Sequence, residues 1–155
     1  MVMQRYSAIE DLAAISRLRL KMFQEIGTAD RLVSDFLSKS QSFYSGKYLE
    51  LRCIHALHEV DGIIVGCAGG IFRSDEFVTH MLRQADYGYI MDVYVEPEFR
   101  RQGIAGSLVE MIVSWLSKGD IEQIQLDAST LSGDLYLKMG FCPARLLSKR
   151  LSFRN

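Results

Sequence analysis

Residues 89–108 run from an apolar, β-rich stretch through Glu96-Pro97-Glu98-Phe99-Arg100-Arg101-Gln102-Gly103 into an amphipathic stretch that begins Ile104-Ala105-Gly106-Ser107-Leu108. Glycines and arginines therefore fall where a strand hands the chain to a helix, which restricts the fold to architectures containing a β–turn–α unit. The first amides of a helix lack intrahelical partners and carry the positive end of its dipole. Gly103 and Gly106 would let an anion approach those amides with no Cβ in the way, and diphosphate is the ligand such a turn suits. Taken alone, the two glycines serve equally well to shape a tight turn, with Arg100 and Arg101 as solvated charges, because short glycine motifs recur by chance.

The surrounding pattern supplies context. A short strand at 3–6 precedes Ser7-Ala8-Ile9-Glu10, which has the Ser-x-x-Glu form of a capping box, and Leu12, Ile15, Leu18, Leu20, Met22 and Phe23 follow at near-helical spacing. Gly27 ends that helix. Residues 28–30 can cap a second helix carrying Leu32, Val33, Phe36 and Leu37, which fades into the polar segment 38–46. Strands are expected at 48–59 and 63–72, joined through Asp61-Gly62, a strong hairpin signal. A polar insertion spans 73–86. The fourth strand is expected at 89–95, the third helix at 103–118, the fifth strand at 121–128, the fourth helix at 131–139, and one or two closing strands at 142–153. This order makes an α/β (α+β) domain around a mixed sheet, with the glycine turn opening a βαβ unit at the carboxyl end of its first strand.

Size and charge bound the rest. A chain of 155 residues is expected to form one domain spanning 1–155. A formal net charge of -1 gives no support to nucleic acid as a partner. Neither an apolar signal core nor a run of 18 apolar residues occurs, so no membrane partner is expected and the expected location is cytoplasmic. Cys53, Cys67 and Cys142 are odd in number and lack metal-ligand spacing, so neither disulfide nor metal is expected and all three read as small apolar side chains. His55 and His58 stand three apart in a strand, face opposite sides, and read as strand-surface residues. A dinucleotide fold would want Gly-x-Gly-x-x-Gly soon after a first strand, whereas this chain carries its Gly-x-x-Gly late.

Two blocks of residues resemble the GCN5-related N-acetyltransferase (GNAT) superfamily. Arg100-Arg101-Gln102-Gly103-Ile104-Ala105 is similar to its Arg/Gln-x-x-Gly-x-Gly/Ala signature, preceded by Val93-Tyr94-Val95-Glu96-Pro97. Leu126-Asp127-Ala128-Ser129 and Leu135-Tyr136-Leu137-Lys138-Met139-Gly140-Phe141 resemble its fifth strand and the end of its fourth helix. The resemblance implies a mostly antiparallel sheet with a splayed central strand pair, flanked by about four helices. It implies acetyl-CoA as co-substrate, with no metal, bound by Val93, Tyr94, Val95, Arg100, Arg101, Gln102, Gly103, Ile104, Ala105, Gly106 and Ser107. In that arrangement the turn's amides wrap the pyrophosphate, and the main chain of Val93 and Val95 pairs with the pantetheine arm.

The implied reaction is N-acetyl transfer to a primary amine by direct attack through a tetrahedral intermediate; the alternative is a non-catalytic CoA-binding module. Tyr136 matches the family tyrosine near the CoA sulfur, as general acid or hydrogen-bond donor, against a reading as a packed aromatic. Asp92 is the candidate base, ahead of Glu96 and Asp127. If Val93 and Val95 pack under the third helix, Asp92 and Tyr94 face the acceptor side. A carboxylate inside an apolar strand also needs a partner, so a structural salt bridge competes with that role, and a bulge would alter the facing. Cys67 reads as packing, and Gly66, Gly69 and Gly70 as room in the sheet or a bulge. His80 lies in the insertion as a solvated residue or an acceptor contact. Glu25, Asp30 and Asp35 would give the acceptor entrance a negative field, diluted by Lys21 and Arg31. A small-molecule amine is favoured over a protein amine because no extended peptide groove is legible, and an exposed strand edge leaves a homodimer open.

Overall fold

The strand pattern that ends at Val60 resumes at Ile63, and between them Asp61 and Gly62 adopt φ values of 49° and 81°. Two consecutive positive φ angles mark a type I′ turn, whose twist matches the strands it joins. The hairpin of β2 (Cys53–Val60) and β3 (Ile63–Ser74) is thereby set at the centre of the sheet. The computed structural model describes residues 1–74, 86–129, 132–144 and 147–149. In it β1 (Val2–Tyr6) pairs antiparallel with β2, and β4 (Asp86–Val95) pairs antiparallel with β3. β5 (Ile124–Leu126) joins β4 in parallel, completing the mixed, mostly antiparallel sheet in the order β1-β2-β3-β4-β5.

Among the described residues four α-helices cover it: α1 (Leu12–Glu25), α2 (Phe36–Leu49), α3 (Ile104–Leu116) and α4 (Gly133–Lys138). Alternation along the strands sorts side chains onto two faces. On one, Leu12, Ile15 and Leu18 of α1 and Tyr44 of α2 meet Leu57 and Cys67. On the other, Ile104, Leu108 and Ile112 of α3 and Tyr136 of α4 meet Ala56, Ala68 and Val95. Most of the polar insertion, including His80, lies outside the described residues, as does half of the stretch expected as closing strands at 142–153, whose described residues, 142–144 and 147–149, form no strand.

Two expectations near the N-terminus shift. The second helix does not run from 28–30: a single 3-10 turn stands at Ala29–Arg31, and α2 begins at Phe36 and continues to Leu49. Tyr44 and Tyr48, strand-formers by propensity, lie four apart on one helix face, and both rings are buried. Their hydroxyls reach a polar cluster under the sheet, described below, and that tertiary bonding overrides propensity. The capping box also moves by one residue. Asp11 Oδ2 accepts the Ala8 amide at 2.7 Å, while Ser7 Oγ accepts the His55 amide at 3.1 Å and meets the Tyr48 hydroxyl at 2.6 Å.

Neither histidine of β2 is a surface residue. They face opposite sides as expected, but His55 is fully buried and His58 nearly so. Gln4 Nε2 donates to Nδ1 of His58 at 3.1 Å and to Ser107 Oγ at 2.7 Å, tying β1 and β2 to the first turn of α3. A proton on that Nδ1 would set one N–H against another, and burial already holds the His58 pKa below its ordinary value of 6.5. A histidine with a lowered folded pKa contributes stability that is present above the unfolded value and is lost as pH falls through the folded one. Urea denaturation should therefore show the wild type losing more stability between pH 7 and pH 5 than a His58→Gln variant. Equal losses would remove His58 as a source of acid sensitivity.

Candidate active site

β4 carries one residue too many for its partner. Cys67 pairs with Tyr94 but Gly69 pairs with Met91, so Asp92 and Val93 stand opposite Ala68 alone, and Asp92 takes a left-handed φ of 57°. This is a β-bulge, which re-aims side chains at the point where it is inserted. Met91 and Asp92 both turn to the α1/α2 side with Tyr94, while Val93 and Val95 pack toward α3. Asp92 thus shares a face with Tyr94, as the strand pattern suggests, and the extra residue is absorbed between Met91 and Asp92. β5 pairs only with Gly88 to Ile90 of β4. Beyond Ile90, among the described residues, no strand pairs with that edge, and the two central strands splay.

Asp92 is only 4 % exposed. Its carboxylate accepts Arg19 Nη1 at 2.5 Å, His55 Nε2 at 3.0 Å and the Tyr44 hydroxyl. Because Nε2 donates to the carboxylate, Nδ1 of a neutral His55 accepts from Tyr48, 2.6 Å away. Ser7 completes the chain, which links β1, α2, β2 and β4. Gly69 makes room for it, since a Cβ there would lie 2.7 Å from His55 Nε2. Burial works against the Asp92 charge, but the His55 hydrogen bond and the Arg19 cation outweigh it and hold the carboxyl below its usual range. Sequence reading singled out Asp92 but missed Arg19, Tyr44 and Tyr48 as its surroundings. The available signal was polarity inside apolar stretches: His55 in β2, and Arg19 between Leu18 and Leu20.

The turn after β4 bends through left-handed Arg101 and Gly103, with φ of 64° and 78°. The first bond of the α3 ladder runs from the Ser107 amide to the Gly103 carbonyl, so the amides of Ile104, Ala105 and Gly106 stand ahead of it. Arg100 points elsewhere. Its Nε donates to the Val95 carbonyl at 2.8 Å, and its Nη1 and Nη2 form a fork on Glu25 at 2.8 and 2.6 Å, latching the turn to the end of α1. Ser107 is also engaged, its hydroxyl between Gln4 and the Ile104 carbonyl. Gly106 has no need of its own to be glycine: a Cβ would meet only Leu135, at 3.6 Å. That open position, the unsatisfied helix amides and the bare β4 edge fit a ligand with a diphosphate and an extended amide-bearing arm.

Tyr136 of α4 is buried beside α3, its ring edge-on to Phe141 at 6.0 Å between centroids. Burial raises its pKa, partly offset by a hydrogen bond with the Ser132 side chain. Ser132 Oγ lies 2.8 Å from Oγ of exposed Ser129, so the phenol connects to solvent through two hydroxyls. On the α1/α2 face a cleft of 330 Å³ opens beside the bulge, bordered by Arg19, Tyr44 and Met91. A larger depression of 680 Å³ between α3, β5 and the end of α4 is lined by none of the sequence-predicted site residues. Among the described residues no His, Cys, Asp and Glu cluster could hold a metal ion, and no helix is long and apolar enough to cross a membrane.

Comparison with known proteins agrees with this geometry. Residues 16–141 match the family model described as the acetyltransferase (GNAT) family. No curated protein matches the sequence. Among solved structures, a predicted acetyltransferase from Clostridium acetobutylicum, crystallised with acetyl-CoA, superposes with a TM-score of 0.83 at 22% identity, over 97% of this chain and 96% of that one. A GCN5-related N-acetyltransferase from Ralstonia eutropha gives 0.83 at 24% identity, over 97% and 99%. Glucosamine-6-phosphate N-acetyltransferase from Arabidopsis thaliana gives 0.71 at 16% identity, over 97% and 98%.

Proposed function

Because the chain belongs to the acetyltransferase (GNAT) family, whose members carry out acetyl-CoA-dependent acetyl transfer, we propose that it acetylates a primary amine of a small molecule. One observation carries this reading: the splay of β4 from β5 after Ile90, the bulge at Asp92 and the free amides opening α3 follow one another at the same end of the sheet. The amides of residues 101–106 would take the diphosphate and the edge of residues 91–95 the pantetheine arm, bringing the thioester to the bulge.

The amine nitrogen then attacks the acetyl carbonyl carbon, forming the N–C bond and moving the carbonyl pair onto oxygen. The Val93 amide, beside the bulge, would be the donor for that oxyanion, a contact that can be worth about 3 kcal/mol. Collapse of the tetrahedral intermediate breaks the C–S bond, sulfur leaves with its electron pair, and the ammonium proton passes to water. The Tyr136 hydroxyl donates to the departing sulfur. Asp92 is better suited to anchoring than to the role of base, because a carboxylate held by three donors and below its usual pKa is a poor proton acceptor. In this reading it positions Arg19 and Tyr44 at the cleft.

A ligand that binds only the native state stabilises it by about 2.7 kcal/mol at a hundred times its Kd. Acetyl-CoA should therefore raise Tm, and free thiol should appear when acetyl-CoA and an amine panel are added together. Stabilisation without thiol release would identify a CoA-binding module; neither response would refute the reading. Gly106→Ala sharpens the test. The helix gains up to about 1 kcal/mol from the substitution, so Tm of the free protein should hold or rise while KM for acetyl-CoA rises.

A further inference from the structure

We propose that the acceptor is an amine with an anionic group beside it, an α-amino acid of apolar side chain, whose carboxylate is held by Arg19 in the cleft on the α1/α2 face. This rests on the acetyltransferase reading. The cleft's 330 Å³ is at the small end of ligand sites, commonly about 300–1,000 Å³, and suits a molecule of amino-acid size. Met91 lies in its wall, so the cleft adjoins the point where β4 leaves β5.

The charge of the lining is one-sided. Arg19, Lys39 and Arg73 border the cleft, and among the described residues no acidic side chain does. None of Glu25, Asp30 and Asp35, from which the sequence suggested a negative entrance, lines this cleft: Glu25 is held by Arg100, and Asp35 pairs with Lys39 at 3.2 Å. That exposed pair is weak enough for Lys39 to turn inward. Arg73 holds its guanidinium carbon over the Tyr89 ring, 3.5 Å from the centroid, a cation–π contact that uses none of its N–H donors.

Arg19 is the fixed element. Asp92 and Tyr44 bind its Nη1, and its guanidinium lies over the Phe23 and Tyr44 rings at 5.4 and 5.7 Å. Among the described residues its Nε and Nη2 have no hydrogen-bond partner, and the side chain is 26% exposed. A preorganised donor pair of this kind matches a carboxylate. Phe36, Phe43, Ile71 and Met91 form apolar walls for a side chain. Asp92 and Asp35 pair with Arg19 and Lys39 but neither carboxylate lines the cleft, so a simple alkylammonium would find no anionic group in its described lining, whereas an amino acid brings its own anion. The same cations favour the neutral, nucleophilic form of the amine once it is bound.

The test uses matched pairs with acetyl-CoA: leucine against 3-methylbutylamine, methionine against 3-(methylthio)propylamine, and phenylalanine against 2-phenylethylamine, with O-phosphoethanolamine against ethanolamine as a phosphate arm. A buried charge-assisted contact is worth about 1.5–3 kcal/mol, so kcat/KM should favour the amino acids by roughly tenfold or more. In Arg19→Lys, which keeps the charge but loses the fork, and in Arg73→Gln, that preference should shrink toward one with KM rising more than kcat falls. Amines that react as well as their amino acids overturn the proposal, and a preference confined to the phosphate pair overturns the carboxylate. If no acceptor reacts, calorimetry on the CoA-saturated protein decides: leucine must bind more tightly than 3-methylbutylamine. Absence of both acetyl-CoA stabilisation and thiol release refutes the acetyltransferase reading itself, and this inference with it.

Discussion

Asp92→Ala is expected to cost about 3–5 kcal/mol of folding stability, the range for removing one partner of a buried ion pair and stranding the other. Arg19 Nη1, His55 Nε2 and the Tyr44 hydroxyl would all lose their acceptor beneath the sheet. Asp92→Asn keeps the shape and an acceptor oxygen and should cost less. It also separates the roles of the group. A carboxyl with a lowered folded pKa contributes stability that is present above its unfolded value, 3.8, and is lost as pH falls through the folded one. The stability gap between wild type and Asp92→Asn in urea should accordingly be full at pH 6 and narrow below about pH 4. A gap that stays constant would show that the charge contributes nothing. As a positioning residue Asp92 acts on the acceptor through Arg19, so Asp92→Asn should raise the acceptor KM and leave the acid limb of the pH–rate profile in place. A flattened acid limb would make Asp92 the base.

That cluster also shows where sequence reading stops. The anion turn was legible because its determinants are local: a strand, two glycines and a helix start lie within twenty residues. The hairpin was legible for the same reason, since Asp61-Gly62 sets its own twist. Ser7, Tyr44, Tyr48, His55 and Asp92 satisfy one another from five places in the chain, and no local pattern encodes that agreement. Ser7 resembled a helix cap, Tyr44 part of a polar segment, Tyr48 the start of a strand, and His55 a surface residue. The cleft was hidden likewise, because Arg19, Lys39 and Arg73 come from α1, α2 and β3. Charges counted along α1 and the segment after it suggested an acidic entrance; in the fold Glu25 and Asp35 are paired and none of those acids lines the cleft, whereas Arg19, Lys39 and Arg73 do.

Tyr136→Phe is expected to lower kcat by at least tenfold while acetyl-CoA still raises Tm. The ring's packing survives the change, since its contacts with Phe141 and α3 are made by carbon atoms. Only the hydroxyl is lost, and with it the donor to the leaving sulfur. Burial raises the phenol pKa, so the O–H stays protonated throughout the neutral range. A phenol of that kind is a reluctant acid toward a thiolate, whose conjugate acid titrates near 8.5. Its contribution is therefore a hydrogen bond to developing charge, worth about 1.5–3 kcal/mol, and the final proton comes from solvent by way of Ser132 and Ser129. Two consequences distinguish this from full proton transfer. The wild-type rate should show no alkaline fall assignable to Tyr136 below pH 10, and acetyl donors with more acidic thiols should lose less on Tyr136→Phe than acetyl-CoA does. An unchanged kcat would reduce Tyr136 to a packed aromatic. A loss equal for all thiols would show that its hydroxyl positions the thioester rather than assisting departure of the sulfur.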